Sequence, residues 1–485
     1  MDTPEPPKPF MQRVQTRLAA SRFFTFSLLL HVVIVIVAGS VVLIKRVVDP
    51  PDFEAADGLL GSDDTAAPPP NPVDISQQVF TPQAPEVNVP QMTTITTTNV
   101  QTPVFQIAAV APQVKAVSPD TMSKAISDAS KMVGKGAGTG VPGSMAGRIG
   151  GSARRTAMMA KGGKDKSEQA VLKGLRWLVK NQSPDGSWSK EFRPSMTGFA
   201  LLAFLGHGEL PNSPEFGPTV EKAVNWILEE GVKNEGRLSM AKAFSQSGVY
   251  EHAIVAYALG EYYTMTKDER AIEILRQATD YILKGQGPDG GWMYAYDKSQ
   301  SDTSVTGWQI QALKAAHLSG LNISGVDECL DKAMLNLKRV QGPKGGFGYR
   351  GPQDKYSLTG VGVLCTYFWK QKKDKMVTEG MGFIMDQVKT KEPIKYAGPT
   401  ANLYAWYYHT QAALMVGGAA WTTWNRLFQD EICDAQSQDG SWPPHGGKGV
   451  GPETAPDKSG PFYRTTLCIL MLEVYYRYMP STKGS

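Results

Sequence analysis

The chain has 485 residues, with 50 Lys and Arg against 46 Asp and Glu and a net charge of +4. The two signs are interspersed and no basic block is interleaved with aromatics, which argues against nucleic acid as a partner. The four cysteines lie far apart inside apolar helical patterns with no C-x-x-C pair, so they read as buried free thiols and supply neither a disulfide framework nor a metal site.

In chain order, residues 1–22 form a basic tail and residues 23–44 an uncharged apolar run (FFTFSLLLHVVIVIVAGSVVLI), long enough to cross a hydrocarbon core of roughly 30 Å as a helix. Lys8, Arg13, Arg17 and Arg22 precede it, whereas Asp49, Asp52 and Glu54 soon follow Lys45 and Arg46. That bias keeps the N-terminus in the cytoplasm and predicts a single-pass inner-membrane protein whose C-terminal part is periplasmic. Ala38, Gly39 and Ser40 also offer a signal peptidase small residues, although the apolar run continues past them to Ile44.

His31 is costly in lipid and shares a helix face with Ser27, four positions earlier. The residues alone allow a neutral His packed against another helix. The arrangement F-x-F-S-x-x-x-H, from Phe24 to His31, followed by a Pro-rich stretch, resembles the N-terminal anchor of TonB-type energy transducers. The resemblance implies that Ser27 and His31 engage a proton-driven motor complex of the Ton type.

Residues 45–165 carry no sustained apolar period, and Pro50, Pro51, Pro68 to Pro70, Pro72 and a Thr run from Thr93 mark a disordered Pro/Thr/Gly-rich linker. Pro-rich chain favours extended conformers of about 3 Å per residue, so the linker works as a tether. Within it, Val104 to Val117 could pair as a strand and Asp120 to Val133 could form a short amphipathic helix.

From residue 166 to 480 one phrase recurs: Gln182-SPDGS-Trp188, Gln286-GPDGG-Trp292, Gln341-GPKGG-Phe347 and Gln436-SQDGS-Trp442. The spacings of 104, 55 and 95 residues are two, one and two units of about 50, which predicts six repeats with degenerate copies near residues 236 and 390. Each repeat reads as an amphipathic helix ending at Gln, a Gly-bearing turn and a second helix rich in small and apolar residues. First helices are expected near Ser167, Thr219, Glu269, Val326, Met376 and Trp421, and second helices near Ser195, Gly248, Asp302, Ser357, Asn402 and Tyr463. One pair cannot bury its own apolar faces, but six pairs closed in a circle can. The fold class is therefore all-α, an α6/α6 toroid with the second helices inside, and the Gln and aromatic residues are its staples.

The Q-x-x-[DK]-G-[SG]-[WF] phrases resemble the QW motifs of squalene and hopene cyclases and of prenyltransferase β subunits. The strings from Tyr250, Asp302, Tyr407 and Leu472 resemble the prenyltransferase/squalene oxidase repeat proteins of planctomycete-type bacteria, a likeness to a fold with no activity to carry over. Cyclases of that type use a D-x-D-D-T-A acid motif, and the matching stretch here, Ser299 to Ser304, keeps only Asp302 and Thr303. A lone exposed Asp would be ionised at neutral pH, which disfavours alkene protonation. Prenyltransferases hold zinc with a D-x-C pair, and Ser304 stands where that thiolate would be; Asp327-x-Cys329 has the spacing but lies on a first helix. No cofactor or metal is expected.

If the inner helices surround a cavity, polar residues on them converge there. Asp302, His252, His409 and Tyr407 are the catalytic candidates, and Glu251, Thr306, Trp308, Gln309, Tyr404 and Arg464 the ligand-binding ones. The competing assignment makes Asp302 a helix cap, pairs Arg464 with a carboxylate and spends the histidines on backbone carbonyls. Three functions fit: a periplasmic binding or scaffold module for a glycan, lipid or protein segment; an enzyme on a polysaccharide or isoprenoid; and the head of an energy-coupled transducer.

Overall fold

A computed structural model describes residues 143–240, 246–370, 374–455 and 458–477. The expected span at 23–44, with Ser27 and His31, and the tether as far as residue 142 lie outside them. Among the described residues no helix is long and apolar enough to cross a membrane.

Six first helices alternate with six second helices: α2 (Asp165–Lys180), α4 (Gly217–Lys233), α6 (Ile272–Gly285), α8 (Val326–Val340), α10 (Lys375–Thr390) and α12 (Gly418–Asp434), with α3 (Arg193–His207), α5 (Gln246–Thr266), α7 (Thr303–Leu318), α9 (Tyr356–Lys370), α11 (Leu403–Val416) and α13 (Gly460–Leu472). Every one starts within three residues of its expected position. The second helices pack side by side in sequence order, and α13 returns to α3, so they close a ring. Each first helix lies outside, with α2 seated on α13 rather than only on its own partner. Burial separates the two sets for the reason the patterns imply. In α2 the buried residues are Ser167, Ala170, Val171, Gly174, Leu175, Trp177 and Leu178, a single 3.6-period stripe, whereas α3 is buried from Pro194 to His207.

The recurring phrase is a set of inter-repeat bonds. The Gln286 amide donates to Gly290 O and Cys329 O, both at 2.8 Å, tying its own turn to the next outer helix. Gln182 does the same to Gly186 O and Thr219 O at 2.9 Å. Gln436 reaches Ala170 O at 2.9 Å, so the last repeat is stapled to the first. The indole N–H groups of Trp188, Trp292 and Trp442 donate to Leu178 O, Ile282 O and Ile432 O at 2.8 Å. At Gly290 and Gly440, φ is 88° and 99°, and an added Cβ would stand 2.2 Å and 2.3 Å from Lys332 O and Lys173 O in the adjoining outer helix. Only glycine permits both the turn and the close approach.

One boundary is corrected. The linker was expected to run to residue 165, yet Gly143–Arg148 is a 3-10 helix and Gly151–Ala160 an α-helix, α1, both packed on the far side of the ring against α14 (Val474–Arg477). The close approach of backbone to backbone comes from the ring side, since an added Cβ at Gly150 or Gly151 would meet nothing within 4 Å. At Gly208 (φ 88°) an added Cβ would stand 2.2 Å from Arg148 O.

Candidate functional site

The ring has no open axis among the described residues. Phe199 on α3 meets Trp308 on α7 edge-on at 5.5 Å and Tyr463 on α13 at 5.8 Å, so aromatics from non-adjacent helices fill the centre. Trp308 is thus a core residue. All six inner helices run the same way, because each is followed by an outer helix that returns the chain, and polar groups gather at the two ends of this plug.

At the starting end, Asp302 caps α7: its Oδ1 accepts from Val305 N at 3.0 Å, and its own N–H donates to Trp292 O at 2.8 Å. Oδ2 is buried with no hydrogen-bond partner. The residue is fully buried rather than exposed, and burial raises its pKa while the Val305 N–H and the Tyr349 and Tyr294 hydroxyls pull it back. Tyr294 and Tyr349 are half-buried with their hydroxyls 2.7 Å apart. Ser304 shares a hydrogen bond of 2.8 Å with the Tyr404 hydroxyl and also lies against Tyr250, whose phenol is raised well above its usual pKa by burial and by Asp302. One carboxyl, four phenols and one alcohol thus meet beneath a partly exposed pair of tyrosine rings.

The other candidates do not join this cluster. His252 accepts from Leu238 N at 3.0 Å and donates to Ala278 O at 2.9 Å, spanning from an inner helix to α6 and away from the axis. His409 donates to Tyr356 O at 3.0 Å and packs between Tyr356 and Trp424. Burial lowers them to about 4 and about 3, so both are neutral props at pH 7. Thr306 accepts from Trp292 N at 3.0 Å, a bond repeated by Thr197, Thr359 and Thr465 under Trp188, Phe347 and Trp442. Gln309 accepts from the Tyr296 hydroxyl and donates to Val249 O, both at 3.1 Å. Arg464 donates to Trp442 O at 3.1 Å, a carbonyl rather than the expected carboxylate. Glu251 accepts from Met240 N at 3.2 Å, and burial pushes its carboxyl up to about 7. Tyr407 is buried at the other end of the ring, where Arg477 feels its field. The expectation that these groups converge fails because the faces of an inner helix toward the axis and toward the outer layer are only half a turn apart, and His252 and His409 stand on the outward one.

Two partners of Asp302 escaped the sequence reading. Tyr294 and Tyr349 each stand two residues past the motif aromatic, Trp292 and Phe347, so the repeat itself marks them as equivalent positions. A shallow cleft elsewhere, lined by Trp226, Ile227, Leu238 and Met240, is mostly apolar and gathers no comparable polar set.

Residues 167–356 match a family described as a domain of unknown function (DUF6288). No curated protein matches the chain. Among solved structures, a variant of the alpha-1,6-mannanase GH76A of Salegentibacter sp. HEL1_6 in complex with alpha-1,6-mannotetrose is similar with a TM-score of 0.50 and 11% identity, over 64% of this chain and 99% of that one. The cellobiose 2-epimerase from Spirochaeta thermophila DSM 6192 has a TM-score of 0.47 and 12% identity, over 67% of this chain and 99% of that one. A variant of the type II terpene cyclase MstE from Scytonema has a TM-score of 0.46 and 11% identity, over 64% of this chain and 97% of that one. At such identities the likeness is one of fold, and the fold is an all-helical α/α toroid.

Proposed function

We propose that the toroid binds a glycan at the starting end of its inner helices, with Asp302 and its tyrosines as the polar floor. The observation that carries this reading is the buried Asp302 carboxyl, whose Oδ2 makes no direct hydrogen bond, set against the half-exposed Tyr294–Tyr349 pair whose hydroxyls act on it. A sugar suits that arrangement: its hydroxyls can donate to the carboxyl and phenol oxygens, and its C–H faces can pack on the phenol rings. The mannanase of the same fold is in keeping with a sugar ligand.

Binding fits better than hydrolysis. Glycoside cleavage generally uses two carboxyl groups across the bond. The flanking acids here are engaged: Asp289 holds Ser301 and Arg339, and Asp297 holds Ser299. The same bonds weigh against the isoprenoid reading. Ser301 and Ser299, where a cyclase would place acids, serve turns, and Ser304, where a prenyltransferase would place a zinc thiolate, serves Tyr404. In this proposal the ring sits in the periplasm on the 45–142 tether, below a membrane helix at 23–44 whose Ser27 and His31 couple it to a motor of the Ton type.

Titration of the full chain with mannan-, glucan- and xylan-derived oligosaccharides tests the site. Asp302→Asn and Tyr294→Phe/Tyr349→Phe should each weaken binding at least tenfold while moving the melting temperature by only a few degrees. Turnover of squalene or an isoprenoid diphosphate that Asp302→Asn eliminates would replace the glycan reading.

A further inference from the structure

The finishing end of the inner helices carries a second buried polar cluster that the glycan site does not use. Arg148, from the strap that precedes the first repeat, is 1% exposed. Its Nη1 and Nη2 donate to Glu261 Oε2 and Oε1 at 2.8 and 3.3 Å, and its Nε donates to Arg477 O at 3.0 Å. The Tyr257 hydroxyl donates to Glu261 Oε1 at 2.6 Å and accepts from Arg477 Nη2 at 3.1 Å. A planar guanidinium is therefore read on two edges by a carboxylate and a carbonyl, the fork geometry that distinguishes arginine from lysine.

Three features make this guanidinium a ligand of the ring rather than a brick in it. The strap lies outside the six helix pairs, and its helix α1 buries only Ala157 and Met158, far less apolar surface than any first helix of a repeat. Withdrawing one partner of a buried ion pair normally strands a charge. Here Arg477 Nη2 already lies 3.6 Å from Glu261 Oε2, so a pair remains when Arg148 leaves. Beside it, Glu473 is fully buried with both carboxyl oxygens unpartnered, pressed against Gly206, where an added Cβ would stand 2.1 Å from Oε2. The pocket thus holds acceptor capacity that the strap does not consume.

We infer that the finishing end of the ring is a guanidinium socket formed by Glu261, Tyr257 and the Arg477 carbonyl, occupied in cis by Arg148 and able to release residues 143–160 as a unit. The class of ligand it takes is an arginine side chain on a small-residue backbone, the form in which GSMAGRIGG presents Arg148.

The test uses the full chain and a synthetic peptide of residues 143–160. Arg148→Ala should fold, should exchange amide hydrogens faster at 257–261 and 473–477 with no change in α7 and α9, and should bind the peptide at least tenfold more tightly than the wild type does. A peptide carrying Arg148→Ala, or the double variant Arg148→Ala/Glu261→Gln, should lose that binding. In the wild type, strap amides should exchange before those of α7. An Arg148→Ala chain that fails to fold, that folds but ignores the peptide, or a wild-type strap protected as long as α7 would each show that Arg148 is a fixed structural staple.

Discussion

Asp302 and Glu251 show how burial turns an ordinary carboxylate into a pH-dependent group. Glu251 is pushed up to about 7 by desolvation, with the Met240 N–H pulling back, whereas in the unfolded chain it ionises near 4.5. Between those values the folded state keeps a proton that the unfolded state has released, so its contribution falls as pH rises through this window and is flat above it. The full effect is about 3 kcal/mol. Glu251→Gln should remove that slope from denaturant-melting curves recorded between pH 4.5 and 7.5. His252 and His409 act in the opposite direction, since unfolding lets each imidazole charge below its usual 6.5, so the folded state loses stability as pH drops toward 4 and 3. His252→Ala orphans Leu238 N and Ala278 O and should cost about 3 kcal/mol with glycan binding unchanged. Loss of binding at wild-type stability would return His252 to the site.

At the scale of the element, the turn phrase predicts which glycines and aromatics carry the ring. Trp292 is fully buried and makes both an indole and a backbone bond, so Trp292→Ala should cost about 3–5 kcal/mol. Gly440→Ala meets Lys173 O at 2.3 Å with φ at 99°, and should cost at least about 2 kcal/mol because it strains the closure of the last repeat on the first. Gly382, in the middle of α10 with nothing within 4 Å of an added Cβ, is the internal control. Gly382→Ala should stabilise by about 0.5–1 kcal/mol through helix propensity alone. Thermal melts of the three variants, ranked in that order, check the staple geometry; an indifferent Gly440→Ala would mean that the ring closes some other way.

For the whole molecule, the ring brings residues far apart in sequence into one closed layer, and its two ends have different chemistry: phenols around a single acid at one, paired arginines and acids at the other. The charge bias around residues 23–44 predicts that everything after Ile44 is outside the cytoplasm. A reporter fused after residue 160 should be active only as a periplasmic fusion, and cytoplasmic activity there would remove the membrane-anchored proposal.

The all-helical toroid was legible in the sequence because its signals are local and repeated: a 3.6-residue apolar stripe, a Gln at the helix end and a glycine-bearing turn recur often enough to count. The helix starts followed, and so did the cap at Asp302, since a cap depends on residues one turn away. What the tertiary structure decided was direction. Periodicity does not say whether His252 or His409 on an inner helix looks to the axis or to the outer layer, and both look away. Nor could it show that the axis is filled, because the Phe199–Trp308 and Ser304–Tyr404 contacts join helices whose separation only ring closure sets. The strap was misread for a related reason. Glycine-rich composition signals flexible chain when nothing lies beside it, and becomes a packed segment when a buried acid such as Glu261 holds one arginine of it in place.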